Sequence, residues 1–177
     1  MIIIINGSLG DGKSSVSEKL HQKFDKSVYL DGDEIGNVHP FEIYDNARIE
    51  HLYRTLELLV GFHQKYGYQN FVINYVFESS GSLQDLLDLL RPLDASIYTY
   101  WLTCDPKEQA RRIRGRQRSD LDWELSRFVE LQRIQARASQ DGFIGIELDT
   151  TGLSSLEVAE KIWLGTLSQK ELNDSKA

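Results

Sequence analysis

The sequence predicts an α/β fold, a three-layer sandwich of helices around a five-stranded parallel sheet. Three observations predict it. Short apolar runs alternate along the chain with stretches of helical periodicity, as crossover helices between parallel strands require. The first run, Ile2 to Ile5, is continuously β-branched, which suits a strand buried on both faces. It leads at once into a glycine-rich loop and then a helical pattern, a strand–loop–helix order.

The elements follow in order. A helix is expected from Lys13 to about Phe24, with Val16, Leu20 and Phe24 four apart on one face. Ser27 to Leu30 reads as a second strand ending in Asp31-Gly32-Asp33. A long helical stretch is expected from Pro40 to about Tyr66, with Ile49, Leu52, Tyr53, Leu56, Leu59, Val60 and His63 at core spacing. Phe71 to Phe77 is the third strand and Ser82 to Leu90 a short helix. Ser96 to Thr103 is the fourth strand. Asp105, Pro106 and Glu108 then mark a helix start by an acidic cap and a first-turn proline. Phe143 to Leu148 is the fifth strand. Ser154 with Glu157 opens a last helix that carries Val158, Ile162 and Leu167. One domain over residues 1–168 is expected, with a polar tail at 169–177. Right-handed crossovers restrict such a sheet to a few strand orders.

Composition bounds the function. The 177 residues are 41% hydrophobic and 27% charged, with a formal net charge of -7. An acidic balance argues against a protein that grips nucleic-acid phosphates through a basic face. The single cysteine, Cys104, excludes a disulfide framework and a cysteine metal site, and is expected to be a small buried hydrophobe. No run approaches the ~18 apolar residues of a membrane span, so neither membrane nor nucleic acid is expected as a partner, and the expected location is cytoplasmic.

The strongest motif is Gly7-Ser8-Leu9-Gly10-Asp11-Gly12-Lys13-Ser14, which matches the G-x-x-x-x-G-K-[ST] phosphate loop (Walker A) at every fixed position. Glycines let successive backbone amides curl towards phosphate oxygens, and the following helix adds its positive end. Gly7, Gly10, Asp11, Gly12, Lys13, Ser14 and Ser15 are therefore expected at a nucleotide. Lys13 would reach the β- and γ-phosphates and the Ser14 hydroxyl would take Mg²⁺. Asp33-Glu34-Ile35-Gly36 superficially fits the D-x-x-G of small GTPases, but it lies only about 20 residues beyond Lys13 and no N-K-x-D occurs anywhere.

Asp31 and Asp33 fall at the carboxyl end of the second strand, where ligands bind in open parallel sheets. Asp-Gly is also a common turn dipeptide. Beside a phosphate loop, two carboxylates suit a metal-side role and the orientation of an attacking hydroxyl. Arg111, Arg112, Arg114, Arg116 and Arg118 crowd one short segment, as a lid over anions or as a solvated helix face. Arg133 and Arg137 follow on the next helix as candidates to point back at it.

The phosphate loop, Leu30-Asp31-Gly32-Asp33 and the arginine run together resemble the small-molecule kinases related to shikimate, gluconate and adenylylsulfate kinases. Chloramphenicol phosphotransferase is a member of the same wider nucleoside monophosphate kinase-like superfamily. The resemblance spans most of the chain, to Asp149-Thr150-Thr151-Gly152. It implies strand order 2-3-1-4-5, ATP and Mg²⁺ as cofactors, and a lid over about residues 112–122. It further implies that Asp33 orients the acceptor hydroxyl while Asp31 serves the metal. Arg112 would flank the adenine, Arg116 or Arg118 would close over the phosphates, and Thr151 and Gly152 would cradle the adenine edge.

Departures temper it. Asn74 stands where a carboxylate often ends the third strand, an amide expected to accept from a metal-bound water. Glu78 is positioned to compensate or to contact substrate. Asn74 to Glu78 lacks a glycine triplet, His39-Pro40 is displaced from the gluconate-kinase position, and no arginine directly follows Asp33. Asp33, Glu34, His39, Phe41, Glu42, Tyr44, Tyr75, Phe77 and Glu78 are expected around the acceptor. Arg48 and Arg54 are the only arginines between Asp31 and Ser82. The expectation is an ATP-dependent phosphotransferase acting on a hydroxyl of a small neutral or cationic molecule, as a monomer or homodimer. The alternatives are a nucleotide-binding regulatory module with slow hydrolysis, favoured by Asn74, and a nucleotide or polynucleotide kinase.

Overall fold

Four isoleucines in a row organise the molecule. In strand β1, Ile2–Gly7, Ile2 and Ile4 face one side of the sheet while Ile3 and Ile5 face the other, and all four are buried. The computed structural model describes residues 1–116, 121–140, 142 and 145–175. Around β1 run β2, Ser27–Asp31, β3, Asn70–Asn74, β4, Ile97–Thr103, and β5, Ile146–Asp149. All pairings are parallel and the order is β2-β3-β1-β4-β5, the order expected.

The helices are α1, Lys13–His21, α2, Gly32–Ile35, α3, Asn46–Lys65, α4, Ser80–Leu90, α5, Pro106–Arg114, α6, Leu121–Gln140, and α7, Ser155–Asp174. One core joins Ile2, Ile4, Phe71 and Ile73 to Leu52, Leu56 and Val60 of α3 and Leu83, Leu86 and Leu90 of α4. The other joins Ile3, Ile5, Val72 and Leu102 to Val16 and Leu20 of α1 and Val158 and Ile162 of α7. Each such side chain taken from water contributes ~1.5–3 kcal/mol, so the two layers hold the strand ends in place. No helix among the described residues is long and apolar enough to cross a membrane.

Several expected boundaries move. Residues 40–45 are not helical: α3 begins only after Asp45, whose carboxylate caps Ala47 N at 2.9 Å. The preceding carbonyls of Glu42 and Ile43 are taken instead by the Arg48 guanidinium, at 2.9 and 2.8 Å. Strand β3 stops at Asn74 rather than Phe77, because the Asn6 side chain accepts from Phe77 N at 2.9 Å and turns the chain out of the sheet. The polar run from residue 169 continues α7 to Asp174 instead of forming a tail, since Gln, Lys, Glu and Leu propagate a helix well. β5 begins at Ile146, and the expected start at Phe143 lies outside the described residues. Asp105 and the Ser154–Glu157 box cap α5 and α7 as expected. The four-residue helix α2, capped by Asp31, was not anticipated.

Candidate functional site

The phosphate loop leaves β1 and enters α1 at Gly12, which sits at φ 92° and favours glycine. Gly10 lies so close to α5 that a Cβ would stand 2.9 Å from the Gln109 carbonyl. Within the loop the buried Lys13 donates to Ser8 O at 3.1 Å. Burial, foremost, lowers the Lys13 pKa; Asp33, Asp11 and Asp31 act against it, and Arg116 acts with it. Three carboxylates and the Arg116 guanidinium thus act on the ammonium.

The Asp11 side chain is turned into the protein. Its carboxylate is 1% exposed and accepts from Ser8 N at 2.5 Å and from the Gln109 side-chain amide. It braces the loop against α5. Burial pushes its pKa up to about 7, with Lys13 and the two hydrogen bonds pulling the other way.

Ser14 and Asp31 meet at the carboxyl edge of the sheet, with Ser14 Oγ 3.2 Å from Asp31 Oδ2. Tyr29 Oη and Asn74 Nδ2 donate to the same oxygen at 2.8 and 3.3 Å. Burial, then the neighbouring Asp31, raises the Tyr29 pKa. Asn74 Nδ2 thus donates to the acidic group, because β2–β3 pairing sets Asp31 directly opposite Asn74. Two adjacent hard oxygens fit Mg²⁺, which keeps several waters and takes few protein ligands. No cluster of three or more acidic, histidine or cysteine groups forms a metal cage among the described residues.

Two cavities flank the loop. The smaller, about 250 Å³, is lined by Asp11, Gly12, Ser15, Arg112, Thr150 and Leu153, among others. Arg112 donates to Thr150 Oγ1 at 3.1 Å, Thr150 O at 3.0 Å and Gly10 O at 3.4 Å, and pairs with Glu108 at 2.9 Å. Arg111 and Arg112 hold the Glu108 carboxyl down at about 2. Thr150, not Thr151, is the buried member here, bonded to Asp11 O and Thr103 O. Thr151 and Gly152 are exposed and do not line the cavity; Thr151 Oγ1 instead accepts from Asp105 N at 2.8 Å.

The larger cavity, about 470 Å³, opens beside Leu9 and Asp33. Its walls include Phe41, Tyr44, Tyr53, Tyr75 and Trp123, with Glu78, Glu124, Arg48 and Arg127. Asp33, Phe41, Tyr44, Tyr75 and Glu78 are brought together as expected. His39, Glu34 and Glu42 are exposed and line no cavity described here, and Phe77 is in the core. Both arginines of the wall are engaged. Arg48 binds loop carbonyls and lies 4.7 Å over the Phe41 ring. Arg127 pairs with Glu78 and with Glu130 at 2.6 Å, and donates to Tyr44 Oη at 2.9 Å. Trp123, Glu124 and Arg127 come from α6 and were missed, because helical spacing alone does not tell which helix folds back over the sheet edge. Arg133 is exposed and Arg137 lines a third cavity, of about 390 Å³, with Ser79 and Ser80. The Arg116 charge acts on Lys13, whereas residues 117–120 of the expected lid, Arg118 among them, lie outside the described residues.

No protein-family model matches the chain and no curated protein matches its sequence. Solved structures do match its fold. The tunicamycin resistance protein of Deinococcus radiodurans shares 21% identity over 91% of this chain and 92% of that one, with TM-score 0.61. A gluconokinase from Sinorhizobium meliloti 1021 shares 14% over 99% and 96%, with TM-score 0.67. A shikimate kinase from Acinetobacter baumannii, solved with shikimate, shares 16% over 96% and 94%, with TM-score 0.60. The sheet order, the loop between β1 and α1 and these likenesses together give the chain the fold of the P-loop kinases.

Proposed function

We propose that the protein is an ATP-dependent phosphotransferase that moves the γ-phosphoryl group onto a hydroxyl of a small, neutral or cationic molecule with apolar surface. The observation that carries this reading is the placement of Asp33. It lines the large cavity and its charge acts on the buried Lys13, which supports a place for it between an acceptor in that cavity and the phosphates.

The nucleotide would lie over Gly10, Gly12, Lys13 and Ser14, its base side towards Ser15, Arg112 and Thr150. Ser14 and Asp31 would hold Mg²⁺, which supplies charge neutralisation at the phosphates. Lys13 would leave Ser8 O for the β- and γ-oxygens. Asp33 would orient the acceptor hydroxyl and take its proton as the new O–P bond forms and the bond to the ADP oxygen breaks. Arg116 would stabilise the charge that builds on the transferred group. Catalysis by this constellation is positioning plus electrostatics.

The acceptor class follows from the wall. An anionic acceptor needs a guanidinium with donors to spare. Here Arg48 is spent on backbone carbonyls, and Arg127 on two glutamates and a tyrosine. Aromatic rings and aliphatic side chains such as Ile43, Ile49 and Leu131 supply the apolar part of the surface, and Asp33, Glu78 and Glu124 its acidic part.

A panel of nucleosides, sugars, amino alcohols and carboxylic acids, read by coupled ADP release, tests the reading. Release stimulated by neutral or cationic alcohols is expected. Stimulation by anionic acceptors alone would overturn the acceptor class. ADP release that no acceptor accelerates would favour the slow nucleotide-hydrolysing module, the reading that the uncharged Asn74 supports.

A further inference from the structure

Asp31 is held by more than its place in a turn. Its Oδ1 accepts from Asp33 N at 3.0 Å, and its Oδ2 from Ser14 Oγ, Tyr29 Oη and Asn74 Nδ2 at 3.2, 2.8 and 3.3 Å. Asn74 Nδ2 also donates to Tyr29 Oη at 2.8 Å, which ties the two neutral donors to each other. Asn74 is 0% exposed, and Tyr29 is stacked on His21 with ring centroids 5.9 Å apart. Ser14, by contrast, is exposed on the first turn of α1. Of the three donors on Oδ2, it is the one free to exchange Asp31 for another partner.

We infer that Tyr29 and Asn74 form a neutral clamp that positions Asp31, so that the protein takes its divalent cation only together with nucleotide phosphates. The inference rests on the nucleotide reading above. A second carboxylate at the end of β3 would add the charge that lets a site hold a divalent cation alone. The amide there adds none. Its Nδ2 donates to both Asp31 Oδ2 and Tyr29 Oη, so Asn74 acts through Asp31. Tyr29, two residues before Asp31 on the same face of β2, supplies a donor that leaves the Asp31 charge intact. The cation's remaining charge compensation must then come from the phosphates over Lys13.

The test uses the whole chain as wild type, Tyr29→Phe and Asn74→Asp. Free Mn²⁺ is followed by electron paramagnetic resonance without nucleotide, and ATP binding by calorimetry with and without Mg²⁺. Wild type is expected to leave Mn²⁺ free up to millimolar concentration. Asn74→Asp should bind Mn²⁺ alone at least ~10-fold more tightly. Tyr29→Phe keeps the ring on His21, and should weaken Mg²⁺–ATP about 10-fold while metal-free ATP affinity stays within about two-fold. Tight Mn²⁺ binding by the wild type without nucleotide would overturn the inference. So would an equal loss of metal-free and Mg²⁺–ATP binding in Tyr29→Phe, which is the outcome of a merely structural role. If wild type bound no ATP under either condition, the nucleotide reading would fail and take the clamp with it. Normal ATP binding with no Mg²⁺ difference between wild type and Tyr29→Phe sinks the clamp alone.

Discussion

The two cavities beside the phosphate loop are built on opposite plans. The smaller lies along the phosphate loop and the first turn of α1, where Arg112 ties the Gly10 and Thr150 carbonyls together and Glu108 and Arg111 join the wall. The larger is made by side chains from Leu9 to Leu131, and its two arginines are engaged before any ligand arrives, Arg127 by Glu78 and Glu130 and Arg48 by backbone carbonyls. The first plan suits a constant group such as a triphosphate, since amides need only a fixed curl of the chain. The second suits a variable group, since each wall residue can change without disturbing the sheet. Phosphate handling and acceptor choice should therefore separate under mutation.

Lys13→Ala should cause the largest loss. It removes the buried cation that Asp11, Asp31 and Asp33 surround, and phosphoryl transfer should fall at least ~10³-fold. Coupled ADP release with a working acceptor measures it, and a loss under ten-fold would detach the loop from the chemistry. Asp33→Asn should lower kcat by about 10²–10³-fold, the range of general-base loss, while ATP affinity by calorimetry stays within about two-fold. Equal losses in both would place Asp33 on the phosphate side and erase the division between the cavities.

Arg127→Met sharpens the comparison on the acceptor side. Arg127 is 8% exposed and neutralises both Glu78 and Glu130. Its loss leaves Glu78 at the cavity wall without its cation, and should cost about 2 kcal/mol of stability, somewhat below the cost of breaking a fully buried pair. Thermal denaturation reads that loss. ATP affinity should stay within about two-fold while the acceptor KM rises, and a fall in ATP affinity instead would show that α6 serves the nucleotide.

The same division explains what was legible in the sequence. The phosphate loop was legible because its residues are contiguous and each has a local reason, as with Gly10 against Gln109. The sheet was legible because Ile2 to Ile5 admits no half-exposed strand. Asp31-Gly32-Asp33 was legible as a site, but not the reason for its glycine: a Cβ on Gly32 would stand 2.7 Å from Tyr75 Cδ2. The Asp31 clamp depends on β2–β3 register, which sets Asn74 beside Asp31 and Tyr29, and spacing along the chain carries no register. The α6 wall depends on where a helix packs, and its Trp123 and Arg127 look like any exposed positions in a string. Thr150 and Thr151 differ by one residue, which at a strand end decides which side chain turns inward.

The smallest expected effect concerns Asp11, the one carboxylate of the phosphate side that faces inward. Its pKa is raised to about 7 by burial from an ordinary 3.8, so the folded protein holds this proton more tightly than the unfolded chain does. The sign follows: the contribution is fully present below about pH 4 and is lost as pH rises through about 7. Ser8 N and Gln109 stay bonded to the carboxylate throughout, which limits the loss to about 1 kcal/mol. Asp11→Asn keeps an acceptor for Ser8 N and removes the titration. Wild type should therefore lose about 2–4 °C of Tm relative to Asp11→Asn between pH 4 and pH 7.5. Parallel Tm curves for the two proteins would mean that Asp11 is already ionised in the fold at pH 4. The loop's brace would then be a Lys13–Asp11 charge pair instead of a hydrogen-bonded acid, and the phosphate side would rest on a charge pair as the acceptor side does at Glu78 and Arg127.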